Sequence, residues 1–417
     1  MLTHDPLRAA LEIREQLASE KRKLSFLFGA GTSMAIGVPG IIIMTQQIAD
    51  ELNEPYKTQF NSIKQELGEN ANVETILDRI RAISELMGDS DTKIYDGIVG
   101  ATAAKGLDTA VCQMISDKIR AVTLSGNEPQ IKFGQWLHSL HSTRYRPVEI
   151  FTTNYDLLLE QAMEQIGVPF FDGFVGSVNS FFVPESVEAD ETKIDYNVYP
   201  PKSWTRIWKM HGSINWLLTC NSYDGKKRIT RVAGCTPKPG EELMIFPSRD
   251  KYTESRKLPF LTFQDRFRKF LSSGEALLII SGYSFSDDHI NEMIFQGLRS
   301  NPRLSILALM FGEKTEVSGE WKLELNEKIC MYGEAYKNLS ILGPDKASVG
   351  GIVAHWGEPS RKRKDAEVWP FWDDGTNSFT LGNFSSFATF LEIFIGFRIK
   401  HGHEHATVEQ PETATPA

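Results

Sequence analysis

The stretch Leu24-Ser-Phe-Leu-Phe-Gly-Ala-Gly-Thr-Ser33 constrains this chain more than any other. A short, mostly apolar run enters two glycines and two hydroxyls, and the residues from Met34 onward read as the start of a helix. Such a run suits a strand buried on both faces. Gly29 and Gly31 permit a tight turn, because glycine tolerates φ > 0. They also let a pyrophosphate approach the main chain in front of a helix N-terminus. One Gly-x-Gly turn also fits an ordinary strand-to-helix connection. The weight therefore falls on whether comparable strand ends recur.

They recur three times. Val148-Glu-Ile-Phe-Thr-Thr153 leads into Asn154-Tyr-Asp156, Trp204–Met210 ends at His211-Gly-Ser213, and Glu275–Ser281 ends at Gly282-Tyr-Ser284. Leu304–Phe311 and Leu339–Leu342 read as further strands with a helix between them. Helical patterns fill the intervals: Pro6–Arg22, with Leu7, Ala10, Leu11 and Leu17 near one face, then Phe133–His141, Leu157–Ile166 and Phe260–Leu271. A further helix carries Ile290, Met293 and Ile294, with Ser286 or Asp287 as its cap. Strands alternating with helices predict an α/β protein built on a doubly wound, parallel, Rossmann-like sheet. Ligands of such sheets bind in the crevice at the carboxyl ends of the strands, and all four polar segments fall there.

Three regions stand apart from this alternation. Residues 45–122 are helical in pattern, with Ile48, Leu52, Phe60, Ile63, Ile76, Leu77, Ile80 and Ile83 apolar, and are expected to form an insertion into the sheet. After His211-Gly-Ser213, Asn215–Cys220 and Lys227–Val232 flank Asp224-Gly225 and predict a hairpin. Beyond residue 345 Trp356, Trp369, Phe371 and Trp372 lie among Pro, Gly and Asp, and Phe384–Phe397 reads as a closing helix. The expected organisation is a nucleotide-binding domain over 1–345, an aromatic-rich extension over 346–400 and a disordered tail over 401–417. The insertion and the aromatic extension are the expected contact surfaces.

Composition removes other classes. The 417 residues, 41% hydrophobic and 24% charged, carry a formal net charge of −9, which gives no general reason to bind nucleic acid. Arg361-Lys-Arg-Lys364 is one local basic run. Cys112, Cys220, Cys235 and Cys330 show no Cys-x-x-Cys pairing, so neither a zinc ribbon nor a disulfide framework is expected. The N-terminus lacks the apolar core of a signal peptide and runs such as Ile306–Phe311 are too short to span a bilayer. A cytoplasmic protein without a membrane or metal requirement is the expectation.

In order and spacing, the four segments resemble the sirtuin family. Gly29-Ala30-Gly31-Thr32-Ser33 is similar to its Gly-Ala-Gly-x-Ser phosphate loop, and Thr153-Asn154-Tyr155-Asp156 to its Gln-Asn-x-Asp, with Thr153 in the Gln position. His211-Gly212 and Gly282-Tyr283-Ser284 resemble its His-Gly and Gly-Thr-Ser. Two departures stand out. Gly40-Ile41-Ile42 replaces the Asp-Phe-Arg of the deacetylases, and the hairpin with two lone cysteines occupies the place of their four-cysteine zinc ribbon. The pattern looks like the sirtuin-like NAD-consuming effectors of bacterial anti-phage defence, in particular the subunit that partners a HerA-type ATPase.

The resemblance implies roles. NAD is the substrate, no metal is used, and cleavage separates nicotinamide from ADP-ribose in an abortive-infection response. His211 is the expected general base, acting on water or on a ribose hydroxyl. Asn154 is expected to hold ribose hydroxyls and a water. Asp156 is expected to hold the nicotinamide carboxamide, to cap the helix from Leu157, or both. Gly29, Ala30, Gly31, Thr32 and Ser33 are expected to cradle phosphates through main-chain N–H groups. Thr153, Gly282, Tyr283 and Ser284 complete the nucleotide contacts, the last three toward the adenosine half. A homo-oligomer is the expected state. A protein deacylase, an ADP-ribosyltransferase and a non-catalytic nucleotide-binding assembly subunit are the alternatives.

Overall fold

The computed structural model describes residues 2–141, 144, 146–188, 200–220, 225–232, 242–245, 259–317, 320–364 and 367–402. Among them, ten strands form one sheet. They are β1 (Thr3–His4), β2 (Lys23–Phe28), β3 (Val148–Thr152), β4 (Phe170–Phe171), β5 (Thr205–Lys209), β6 (Ala276–Ser281), β7 (Leu304–Leu309), β8 (Leu339–Leu342), β9 (Lys346–Val349) and β10 (Ile352–Trp356). Their order is β1-β10-β9-β8-β7-β6-β2-β3-β5-β4. From β8 to β4 every pairing is parallel. The chain leaves β2 toward β3 and β5, then returns to build β6, β7 and β8 on its other side. That reversal is the doubly wound arrangement expected from the sequence, with its switch point between β2 and β6.

Period-two alternation along the central strands serves two cores. On one face, Phe26 and Phe28 of β2, Ile150 of β3 and Ile279 of β6 join α1 (Pro6–Ala18) and α7 (Pro129–Leu140). On the other, Leu27, Phe151, Leu278 and Ile280 meet the helices at Phe260–Ser272 and Asp288–Ser300. Helix α1 is shorter than its pattern suggests and turns Ile13 inward, while Leu11 faces solvent. Helix α7 begins at Pro129, which suits a first turn because its missing N–H has no helical partner to lose.

The aromatic stretch from residue 346, expected as a separate extension with an outer contact surface, is built into the sheet and its core. Strands β9 and β10 extend the sheet beyond β8. Trp356, Trp369, Phe371 and Trp372 are all buried in the core that contains Phe26 and Phe28. The closing helix, Phe384–Gly402, packs on α7, and Phe384 stands edge-on to Phe28 with ring centroids 5.4 Å apart. The physical reason is area: each such ring removes about 150–250 Å² of apolar surface from water, and this face of the sheet would otherwise be open. Residues 403–417, where a disordered tail is expected, lie outside the described residues.

Between β2 and β3 the chain forms a short helix, α2 (Gly31–Met34), and then α3 (Ile41–Glu51), α4 (Tyr56–Leu67), α5 (Val73–Met87) and α6 (Ala101–Arg120). The last four supply most of a third core, centred on Ile48, Phe60, Ile76, Leu77, Ile80 and Leu107. Helix α5 starts on a capping box, with Asn72 accepting from the main chain at Glu74 and Thr75. The hairpin expected after His211 is present: Gly212–Cys220 pairs antiparallel with Lys227–Arg231. Its turn at 221–224 lies outside the described residues, as does Cys235.

Candidate functional site

At the switch point two loops meet backbone to backbone. Gly29 N–H donates to the Ser281 carbonyl at 3.1 Å, and Gly31 N–H to the Gly282 carbonyl at 2.9 Å. A Cβ on Gly29 would lie 2.5 Å from the Gly282 oxygen, and one on Gly282 would lie 2.5 Å from the Thr32 nitrogen. Gly282 also adopts φ +66, a conformation that costs other L-residues about 1–2 kcal/mol. These glycines permit a close approach of two strand ends.

This contact corrects the expected phosphate cradle. Four of its five N–H groups are committed inside the protein: those of Gly29 and Gly31 as above, Thr32 to the Gly29 carbonyl, and Ser33 to the Ala30 carbonyl. The N–H of Ala30, which is exposed, has no hydrogen-bond partner among the described residues. The turn and the Ser281–Gly282 contact each use two donors, so one of the five is left rather than all five.

The side chains of Thr32 and Ser33 are buried and tie this loop to the end of β3. Asn154 Nδ2 donates to the Gly29 carbonyl at 3.1 Å, Thr32 Oγ1 at 2.9 Å and Ser33 Oγ at 2.8 Å. The Gly29 carbonyl can only accept, which settles which end of the amide is the nitrogen. Asn154 Oδ1 is left without a partner among the described residues and is available to a ligand hydroxyl. Ser33 Oγ donates to Asp156 Oδ2 at 2.6 Å, and Asp156 Oδ1 accepts from Leu158 N–H, in the first turn of α8 (Leu158–Ile166). Each carboxylate oxygen of Asp156 thus has one partner inside the protein, and one of these is the N–H at the start of α8. Beneath it, buried Lys209 donates to the Asp156 carbonyl and to Glu160. Burial pushes the Glu160 carboxyl up from its ordinary value, with Lys209 opposing.

His211 lies two residues beyond the end of β5. Its Nε2 lies 3.2 Å from Asp287 Oδ2, and both side chains are mostly buried. The other oxygen of Asp287 accepts from His289 N–H and Ile290 N–H at the start of the Asp288–Ser300 helix. One carboxylate thus caps a helix and stands beside an imidazole. The carboxylate faces Nε2, and Nδ1 is the ring nitrogen that this contact does not use. Nδ1 has no partner among the described residues. The sequence offers Ser286 or Asp287 as the helix cap and marks no further task for Asp287. No spacing rule connects it to His211, and only its position just after a strand end hinted at the site.

The Gly282–Asp287 loop that delivers this carboxylate is tightly held. Phe285 is buried at φ +56, uncommon for a bulky residue, and its carbonyl accepts from Asn291 Nδ2 at 2.8 Å. Tyr283, expected among the nucleotide contacts, is buried; its hydroxyl donates to Asn291 Oδ1 or the Asp287 carbonyl. Its side chain belongs to the core because Asn291 draws it under the loop. Ser284 is exposed and meets Ser286 at 3.0 Å, and Gly282 lies against the phosphate loop itself. Thr153 joins the group through its N–H, which donates to the Phe28 carbonyl.

Residues 148–330 match the family model of the SIR2-like domain. This SIR2-like stretch covers less than half of the chain. It opens at β3 and includes Asn154, Asp156, His211, Gly282 and Asp287, while the Gly29–Ser33 loop precedes it. The match supports a sirtuin-like protein with an NAD-related function. Comparison with curated proteins finds no match.

The residues present fit a dinucleotide. The Ala30 N–H and the Asn154 Oδ1, each without a partner among the described residues, lie at one switch point. Among the described residues no group of three or more His, Cys, Asp or Glu side chains could hold a metal ion, and no helix is long and apolar enough to cross a membrane. The basic run at Arg361–Lys364 is partly neutralised locally: Arg361 pairs with Glu367 and lies over Trp369, and Arg363 pairs with Asp374.

Proposed function

We propose that the protein is an NAD glycohydrolase that releases nicotinamide and leaves ADP-ribose. The observation that carries this reading is the placement of His211, beside Asp287 and with no partner on Nδ1 among the described residues, at the same strand ends where Asn154 is anchored to the Gly29–Ser33 loop. Cleavage of the N-glycosidic bond builds positive charge on the ribose, and attack by water then requires a base. Asn154 Oδ1 holds a ribose hydroxyl, and Ala30 N–H meets a phosphate oxygen. The segment after the phosphate loop favours water over a protein acceptor. Ile42 and Ile43 at the start of α3 are exposed, and no arginine or aromatic from Gly40-Ile41-Ile42 covers the sugar.

The test is to incubate the pure protein with NAD, with and without an acetyl-lysine peptide, and follow nicotinamide and ADP-ribose. We expect both products without the peptide. His211→Ala and Asn154→Ala should each lower the rate ~10²–10⁴-fold at unchanged fold. Peptide-dependent nicotinamide release, or ADP-ribose attached to a macromolecule, would point instead to a transferase. The resemblance to defence effectors extends the proposal to NAD depletion in abortive infection, in a homo-oligomer with a HerA-type ATPase as partner. Loss of protection from phage in cells carrying His211→Ala would support that extension.

A further inference from the structure

The helical insertion reaches the loops of the site at every point where its core needs completing. Ile214 and Leu158 are each 2% exposed and belong to the insertion's core, with Tyr155 and Leu157 packed against it. Ile214 lies three residues after His211, and Tyr155–Leu158 follow Asn154 directly. Val38, on the segment leaving the phosphate loop, is part of the same core.

Polar contacts run along the same seam. The Tyr155 hydroxyl lies 3.4 Å from Glu74 Oε1 on α5, and Arg120 Nη2 at the end of α6 donates to the Ile214 carbonyl at 2.7 Å. The Tyr155 carbonyl accepts from Ile214 N–H at 3.0 Å and from Ser213 Oγ at 3.4 Å, and its ring lies 6.4 Å from that of His211, tilted by 36°. The turn that carries His211 is thus held by the sheet on one side, through Met210 N–H to the Thr152 carbonyl, and by the insertion on the other. Burial first, then Glu74, raises the Tyr155 phenol well above its ordinary range, so it stays a neutral hydrogen-bonding group.

We propose that the insertion is a clamp on the His211 turn, acting through Glu74–Tyr155 and Arg120–Ile214, and that Tyr155 and Arg120 are positioning residues for the reaction. The proposal rests on the NAD-cleavage reading only for its kinetic half. An insertion that merely decorated the sheet would have its own closed core. This one borrows Ile214 and Leu158 from the segments that flank the reactive side chains, so its geometry and theirs cannot change separately.

Tyr155→Phe, Glu74→Gln and Arg120→Gln test it, each with NAD kinetics and with imidazole NMR of the substrate-free protein, His4 at the far edge of the sheet serving as internal reference. We expect kcat to fall about five- to tenfold in each, with KM for NAD within about twofold, as positioning in the transition state requires. The Tyr155→Phe/Glu74→Gln double variant should be no slower than the worse single one. The His211 signals should move in all three while those of His4 stay. If the wild type does not cleave NAD but the His211 signals move, the function fails and the clamp stands. Unmoved His211 signals overturn the clamp, whatever the activity, as does an unchanged kcat in an active wild type.

Discussion

The glycine loops at the switch point and the helical insertion are held together by opposite means. Around Gly29, Gly31 and Gly282 main chain lies on main chain, and the limiting quantity is the space left by a missing Cβ. In the insertion, helices are held by side-chain volume: Ile76, Leu77, Ile80 and Ile83 of α5 recur at helical spacing and pack against α6. The first kind of contact tolerates no added atom and the second tolerates no lost one. His211, Tyr155 and Asn154 lie on the seam between the two, which gives them a rigid floor and a wall that can be loosened separately.

The largest expected effect comes from breaking the floor. Gly282→Ala puts a Cβ 2.5 Å from the Thr32 nitrogen at φ +66, with only backbone in its way. It should cost roughly 2–5 kcal/mol from the strained conformation and the overpacking together, and NAD cleavage should vanish. Urea unfolding and turnover read both. Near-normal stability would show that the two loops can separate, and that the floor is not rigid.

Loosening the wall comes next. Ile80→Ala deletes a side chain that is fully buried in the insertion. About 2–5 kcal/mol is expected for such a cavity, carried by α5 and α6. Hydrogen exchange should speed up there and at Ile214, while β2 and β6 keep their protection. Equal loss of protection in β6 would mean that the two regions are one cooperative unit and the contrast is false.

The smallest effect sharpens the comparison without breaking anything. Cys112 on α6 is buried beside Asp108, and its thiol is pushed up to about 12 by burial and then by that carboxylate, with Arg81 pulling the other way. A raised thiol favours the folded state below its ordinary 9.0, and that contribution is lost as pH rises toward the folded value. At pH ~8 the native thiol should resist alkylation, because the thiolate is the reactive form. Peptide mass mapping should show Cys112 labelled only on unfolding, and faster in Ile80→Ala. Rapid labelling of the native wild type would mean that the insertion opens by itself.

Much of this molecule was determined within short stretches of sequence. The apolar runs at 24–28, 148–152 and 276–281 had to be buried on both faces, and the polar segments after them had to fall at the strands' carboxyl ends, because those rules act between neighbouring residues. Helical period likewise marked residues 45–122 as helices, and their short β-hairpin at Ile94–Val99 was too small to show in the pattern. Tertiary structure decided the rest. It gave Asp287 its second task, because a carboxylate has two oxygens and a cap uses one of them. The approach of Ser281 and Gly282 took two donors of the phosphate loop, its own turn took two more, and the Ala30 N–H was left. The open face of the sheet drew Trp356, Trp369 and Trp372 inward. Each of these outcomes depends on which distant segment arrives opposite, and neither composition nor period carries that information.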